Sequence, residues 1–362
     1  MSKIRVGVIF GGRSGEHEVS LMSAKSVISA LDPHKYDIIP LAIDKNGKWL
    51  LPNEAVKMLD AAVAPMLATD IPVAEGGQFP LVPDPGAKTA YLDVIFPVLH
   101  GPHGEDGTVQ GLLELANIAY VGAGVLGSAV SMDKAMMKSV FSQAGLPVLK
   151  WETVIRRHWE QNPDPAIDAI EAKIGYPCFV KPANLGSSVG ISKACSREQL
   201  VEAVNLACEF DRRVIVEQGL IKPREIECSV LGNDDPIVSV PGEIVPGNEF
   251  YDYEAKYLND SSQLIIPADV TPEQRRLLED YSIRAFRAVD CAGMARVDFF
   301  ITEDQQVVIN EINTIPGFTR ISMYPKLWEA SGISYRELLD RLIELALERH
   351  EDRKRRRISL TP

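Results

Sequence analysis

Short apolar runs alternate with stretches of helical spacing over the first third of the chain. The run IRVGVIF closes on a glycine pair, which predicts a buried strand near residues 4–10 entering a loop, and not a secretory leader with a long apolar core. A helical pattern follows near 18–31, then strands near 37–43 and 91–98 and a helix near 107–116. This βα alternation predicts a parallel sheet with helices on its faces, because parallel strands need long crossovers. Residues 52–90 interrupt it with several prolines and glycines and read as a peripheral insertion.

From about residue 123 the pattern becomes α+β. A second unit has a helix at 131–144, strands at 177–181 and 189–193, a helix at 196–209 and a strand at 213–217. A third has strands at 225–231, 237–245, 293–301 and 307–312, with helices at 272–289 and 334–349. The expected organisation is an N-terminal parallel-sheet domain over 1–122, a central unit over 123–217 and a C-terminal unit over 218–362 with a basic tail at 350–362. No internal repeat is visible, which excludes a solenoid.

At 362 residues and 46% hydrophobic composition, the chain can bury more than one core. No run approaches the roughly 18 apolar residues needed to span a bilayer, so a soluble protein without a membrane partner is expected. The five cysteines are odd in number and lack a C-x-x-C pair, which suits reduced core residues in a cytoplasmic protein. A net charge of -12 excludes a nucleic-acid binder as a whole, because a phosphate backbone would be repelled. The basic run 353–357 (RKRRR) reads as a solvated, disordered end.

Several segments carry candidate chemistry. Gly122 to Gly127 satisfies G-x-G-x-x-G, but no strand ending in an acidic residue follows about 20 positions on, so a glycine-rich crossover is the better reading than a dinucleotide site. The segment KPANLGSSVG puts Lys181 at a strand end before a loop containing Gly186, Ser187 and Ser188. Such a loop can surround an anion with N–H and hydroxyl donors, or be a plain hairpin.

The runs ARVDFF and VVINEIN predict an antiparallel hairpin. Side chains two apart share a face, so an even-length turn would bring Arg296, Asp298, Glu311 and Asn313 onto one surface. Two carboxylates and an amide oxygen are hard ligands of the kind Mg²⁺ accepts beside phosphates; a water-exposed ladder is the bland alternative. GGRSGEHEVS follows the first strand and opens a helix, so its N–H groups could bind an anion. The stretch Glu249 to Tyr257, within a loop at about 247–262, is too aromatic for an ordinary surface turn and reads as a lid. HGPHGEDG lacks zinc spacing.

Seven motifs, GGRSGEHEVS, HGPHGEDGTVQG, SMDK, KPANLGSSVG, FYDYEAKY, ARVDFF and NEINTIPGFT, occur in the order found in the D-alanine:D-alanine ligases of the ATP-grasp superfamily. The resemblance runs from about residue 4 to 348, and the insertion at 52–90 looks like that of the longer, A-type members. It implies an N-terminal domain followed by a two-subdomain ATP-grasp fold. The implied activity is the joining of two D-alanine molecules through a D-alanyl phosphate for peptidoglycan synthesis, with ATP as substrate and two Mg²⁺ ions that Mn²⁺ can replace. A cytoplasmic homodimer is also implied.

The resemblance implies roles residue by residue. Lys134 and Lys181 match phosphate-contacting lysines, with Ser187, Ser188, Lys256 and Asn310 also in the nucleotide site. Glu217 and Glu225 match the carboxylates that hold the adenine amino group and the ribose. Asp298, Glu311 and Asn313 match the metal ligands. Glu16 would bind the ammonium of the first D-alanine, tied to the lid through Ser187 and Tyr257, with His100 close by. Arg296 and the Gly317 N–H would cover the oxyanion, and Ser322 and Met323 would line the second substrate site. Competing readings are a D-alanine:D-lactate ligase or another ATP-grasp carboxylate-amine ligase, an NAD enzyme using Gly122 to Gly127, and a catalytically inactive ATP-binding regulator.

Overall fold

The computed structural model describes residues 3–50, 52–59, 66–67, 92–245, 263–319 and 321–357. The first sheet is parallel, in the order β2-β1-β3-β4. Its strands are β1 (Ile4–Gly11), β2 (Tyr36–Ile43), β3 (Val94–Pro97) and β4 (Ala119–Tyr120), with α1 (His17–Ala30), α2 (Pro52–Met58) and α3 (Thr108–Leu115) between them. β1 is apolar nearly throughout because both faces are covered. Val6, Val8 and Phe10 pack with Val27 and Ile28 of α1 on one side, and Ile9 packs with Val109 and Leu113 of α3 on the other.

Two helices follow, α4 (Val125–Met132) and α5 (Lys134–Gln143), where one helix over 131–144 was expected. The break is Asp133. Its extended backbone lets the carboxylate accept from the Ala135 and Met136 N–H groups at 3.1 and 3.0 Å, a helix N-cap that cannot sit inside a continuous helix.

The second sheet is antiparallel, in the order β5-β8-β6-β7. Its elements are β5 (Trp151–Ile155), α6 (Arg156–Gln161), α7 (Asp164–Lys173), β6 (Cys178–Pro182), β7 (Ser192–Ala194), α8 (Arg197–Phe210) and β8 (Arg213–Gln218). Cys178, Val180, Val214 and Val216 face α7 and α8 in a closed core. The alternation therefore turns Lys181 and Glu217 to the other face.

The third sheet is also antiparallel. It contains β9 (Arg224–Gly232), β10 (Ile237–Val238), β11 (Gly242–Val245), β12 (Gln263–Ile265), β13 (Gly293–Ile301) and β14 (Val307–Asn313), in the order β12-β11-β9-β13-β14 with β10 on β9. The single strand expected over 237–245 is two strands separated by Pro241, which has no N–H to give to a ladder. One face packs Ile226, Val297, Phe299 and Ile309 against Leu278 and Phe286 of α9 (Pro272–Ala288) and against Met137 and Phe141 of α5. So α5, which lies after the boundary expected at residue 122, packs on the third sheet.

Two helices follow the third sheet, α10 (Met323–Ala330) and α11 (Tyr335–Lys354). Trp328, Leu338, Leu342 and Ile343 join the core of the first sheet. Helix α11 runs beyond the expected end at 349 and takes in part of the basic run. Arg353 pairs with Glu114 and Lys354 with Glu351, so those residues are ordered, favoured as cations in a helix's last turn. The G-x-G-x-x-G stretch is a packing crossover: a Cβ at Gly127 would stand 2.8 Å from the Asp290 carbonyl, and Arg349 donates to the Gly122 carbonyl.

If α11 completes the first core, Leu342→Ala should lower global stability by about 3 kcal/mol through a buried cavity, whereas Leu115→Ala, at a side chain 88% exposed, should change it by less than about 0.5 kcal/mol. Urea unfolding of the two variants decides it. Equal midpoints would mean that α11 is a loosely held appendage.

Candidate active site

The candidate residues collect where the polar faces of the second and third sheets meet the loops at the C-terminal ends of β1 and β3. β13 and β14 are joined by five residues, Thr302–Gln306, not the even-length turn expected. Continued unchanged, that register would set Asp298 opposite Asn310. Instead Phe299 pairs with Ile309 and Asp298 with Glu311, so Asn310 is an extra residue in the ladder. The bulge puts Asp298 beside Glu311 and Arg296 beside Asn313 on one face.

Arg296 organises this face. Its Nε and Nη2 donate to the two Asp298 oxygens, both at 2.7 Å, and Nε lies 3.1 Å from Glu227 on β9. Burial opposes its charge, but Asp298 and Glu227 outweigh that and keep the guanidinium firmly protonated. Asn313 accepts from the Ile315 N–H at 3.0 Å, which fixes the start of the following loop. In that loop Gly317 passes close to α10: a Cβ there would lie 2.8 Å from the Ser322 Oγ and oblige that hydroxyl to move. Ser322 is the residue before α10, accepts from the Thr319 N–H at 3.1 Å and precedes the buried Met323.

Glu16 stands at the N-terminus of α1 but does not cap it; its carboxylate accepts instead from the Ser187 hydroxyl of the β6–β7 loop. Ser187 and Ser188 have φ of 53° and 59°, a left-handed pair that L residues adopt at a cost and that turns the loop over Glu16. Gly101, at φ 75°, lets the β3 loop pass so close that a Cβ would stand 2.6 Å from Glu16 Oε2. His100 bonds Ser23 through Nε2 at 3.0 Å and lies 3.7 Å from Glu105 through Nδ1. Burial alone would lower the His100 pKa, but Glu105, with Glu16 nearby, outweighs it and raises it.

Together these groups line a cavity of about 150 Å³: Glu16, His100, Lys134, Ser187, Arg296, Glu311, Asn313, Gly317, Ser322 and Met323 all reach it. Lys181, Ser188, Glu217, Glu225, Asp298 and Asn310 are not in its lining. Asp298 is held behind Arg296. Glu225 lies two residues before Glu227 on the same face of β9, and Asn310 is at the bulge. Lys181 Nζ donates to Glu217 at 2.6 Å, and Lys138 of α5 approaches the other Glu217 oxygen at 3.1 Å. Burial would raise the Glu217 pKa, but the two lysine charges outweigh it and hold it at about 2. Lys134 donates to the Leu185 carbonyl at 2.6 Å. Lys256, Tyr257 and the expected lid lie outside the described residues.

Three residues of this site were not singled out from the sequence: Lys138, Glu105 and Glu227. Each had a signal. Lys138 is four residues after Lys134, hence on the same side of a helix, and Glu227 is two after Glu225, hence on the same side of a strand. Glu105 sat in a motif weighed only for zinc.

Two antiparallel sheets that turn charged faces to one cleft, set against a parallel-sheet domain, define an ATP-grasp ligase. The model described as D-ala D-ala ligase N-terminus matches residues 5–123, and that described as D-ala D-ala ligase C-terminus matches 140–344. The D-alanine–D-alanine ligase of Geobacillus kaustophilus is 51% identical, over 97% of this chain and 96% of that protein. Among solved structures, the D-alanine-D-alanine ligase from Coxiella burnetii aligns at TM-score 0.81 and 38% identity, over 98% of this chain and 97% of that one. The VanG D-Ala:D-Ser ligase from Enterococcus faecalis aligns at TM-score 0.81 and 39% identity, over 95% of this chain and 100% of that one. The chain belongs to the D-alanine–D-alanine ligase family.

The Glu217 cluster has a pH signature. A carboxyl held at about 2 when folded, against roughly 4.3 when unfolded, contributes stability that is complete above the unfolded value and is lost as pH falls toward the folded one. Glu217→Gln should therefore cost about 3 kcal/mol at pH 7, by leaving buried lysines unpaired, and the gap from wild type should shrink between pH 4.5 and 2. Chemical denaturation across that range measures it. A gap independent of pH would show that the carboxylate charge is not what holds the cluster.

Proposed function

We propose that the cleft joins two D-alanine molecules to D-alanyl-D-alanine at the expense of ATP, through a D-alanyl phosphate, for peptidoglycan precursor synthesis. The observation that carries the reading is one cavity lined by a tethered carboxylate, Glu16, a half-buried cation, Arg296, and an oxygen-rich strand. An amino acid is itself such a pair of charges, an ammonium and a carboxylate.

Glu16 takes the ammonium of the first D-alanine. The Ser187 hydroxyl occupies one of its oxygens and leaves the other for the substrate. The substrate carboxylate is then aimed at the terminal phosphorus of ATP. One carboxylate oxygen attacks, the bond to ADP breaks, and the acyl phosphate replaces a poor leaving group by a good one. The amine of the second D-alanine, held beside Ser322 and the apolar Met323, attacks the carbonyl carbon, and the phosphate departs carrying the proton the amine gives up. Arg296 and the Gly317 N–H cover the oxyanion of the tetrahedral intermediate, where fixed donors act strongly because water is excluded. His100 stands near the first substrate, and Glu105 beside it favours the charged form of the ring.

Lys134 and Lys181, with Ser188 and the region of Asn310, hold the phosphates; Glu217 and Glu225 hold the adenine amino group and the ribose. Among the described residues no group of three His, Cys, Asp or Glu side chains forms a metal site by itself. The set Asp298, Glu311 and Asn313 nevertheless fits Mg²⁺ or Mn²⁺ by donor type: all three carry hard oxygens on one face, Glu311 and Asn313 line the cavity, and Asp298 would offer the lone pairs that Arg296 leaves. When bound, two such ions would neutralise charge between the phosphates. We place the three-unit division, a homodimer and a cytoplasmic location in the same reading; no helix of the described residues is long and apolar enough to cross a membrane.

The purified protein, given ATP, Mg²⁺ and D-alanine, should yield ADP, phosphate and dipeptide in equal amounts; AMP as the nucleotide product would rule out the acyl phosphate. D-Serine and D-lactate as competing acceptors test the second site, and preference for either over D-alanine would move the assignment. Glu311→Gln should reduce turnover by about 10-fold to 100-fold and raise the Mg²⁺ needed for half-maximal activity. Unchanged turnover at limiting Mg²⁺ would make the strand face a structural ladder.

A further inference from the structure

Lys134 and Lys181, the two cations assigned to phosphate, are held differently. Lys134 donates to a neutral carbonyl, that of Leu185. Lys181 donates to Glu217, so a carboxylate already sits on the cation that is to meet ATP. Taken alone, Lys181 and Glu217 sum to zero, and a polyanion gains little from a neutral pair in a site where burial makes each charge expensive. Lys138 changes the count. It is 1% exposed, lies on α5 one turn after Lys134, and reaches the second Glu217 oxygen at 3.1 Å. Burial works against the Lys138 charge, and Glu217 with Glu311 nearby supports it; as cations, the two lysines outnumber the one carboxylate that both contact. The Lys138 Nζ also stands 3.5 Å from the Asn310 carbonyl, at the bulge that aligns Glu311 with Asp298. Lys181 occupies one Glu217 oxygen at 2.6 Å, and Lys138 is the cation at the other.

We propose that Lys138 is a positioning residue for the nucleotide: by sharing the Glu217 carboxylate it leaves Lys181 with charge to offer the phosphates of ATP, and through Asn310 it ties that charge to the strand bearing Glu311. The inference rests on the ATP-dependent reading above.

Calorimetric titration of the full chain with ATP and with adenosine, in Mg²⁺, separates the two. The ratio of adenosine Kd to ATP Kd isolates the phosphate contribution, and losses at the adenine cancel in it. A wild-type ratio near one would overturn the nucleotide reading itself, whatever the variants do. With a wild-type ratio well above one, Lys138→Met should reduce it by about tenfold or more, the scale of a charge-assisted contact. Lys138→Arg should restore most of it. Adding Glu217→Gln to Lys138→Met should also recover it, because removing the carboxylate returns the Lys181 charge to the ligand. A packing role predicts instead a lower Tm with an unchanged ratio and no second-site recovery, and that result overturns the proposal. If circular dichroism shows Lys138→Met unfolded, Glu217→Gln alone decides: its ratio should exceed wild type, and an equal or smaller ratio is the contrary result.

Discussion

The cleft depends on one extra residue in a strand. The five-residue connection between β13 and β14 starts the hairpin in a register that would oppose Asp298 to Asn310, and the bulge at Asn310 moves Glu311 into that place. Because side chains alternate across a sheet, a shift of one residue exchanges the two faces. Without the bulge, Ile309 and Glu311 could not both be where they are, one in the core behind the sheet and the other in front. The carboxylate face, the seat of Arg296 and the entry into the Gly317 loop all follow from that correction.

Charges in the cleft are then compensated before any ligand arrives. Arg296 is divided between Asp298 and Glu227, Glu217 between Lys138 and Lys181, and His100 leans on Glu105. Each of these groups would be costly to bury alone. Pairing offsets that cost and holds their positions, so little reorganisation is left for the moment of reaction. The same pairing limits what each can give a substrate, which is why the stoichiometry of a cluster matters more than the presence of any single lysine or glutamate in it.

Much of this was legible in the chain. The apolar run of β1 and the alternation in β6, β9 and β13 predicted strands because burial of one or both faces leaves a period that can be counted. The shared face of Arg296, Asp298, Glu311 and Asn313 followed from the same period, although by way of an even turn that the structure replaces with an odd one plus a bulge. Punctuation by single residues was harder to read. Asp133 divides a helix and Pro241 a strand, and each acts through one backbone group that a window of hydrophobicity averages away. The region 151–173 carries little pattern, since β5 is short and half-buried and α6 spans only Arg156–Gln161. Buried partners such as Lys138 and Glu105 escaped because a charged residue inside a protein is recognised by its counter-ion, and that counter-ion is distant in sequence.

The docking of α11 onto the first sheet bears on how the chain is made. A ribosome delivers β1 to β4 early, but Leu338, Leu342 and Ile343, which cover one side of that sheet, emerge only after both antiparallel sheets have been synthesised. Until then an apolar face that belongs inside the protein is open to water and to other nascent chains. The N-terminal layer therefore cannot mature as an independent unit ahead of the rest, as domains often do during synthesis. Its completion waits for Leu338, Leu342 and Ile343, which makes α11 the closing step of the first core.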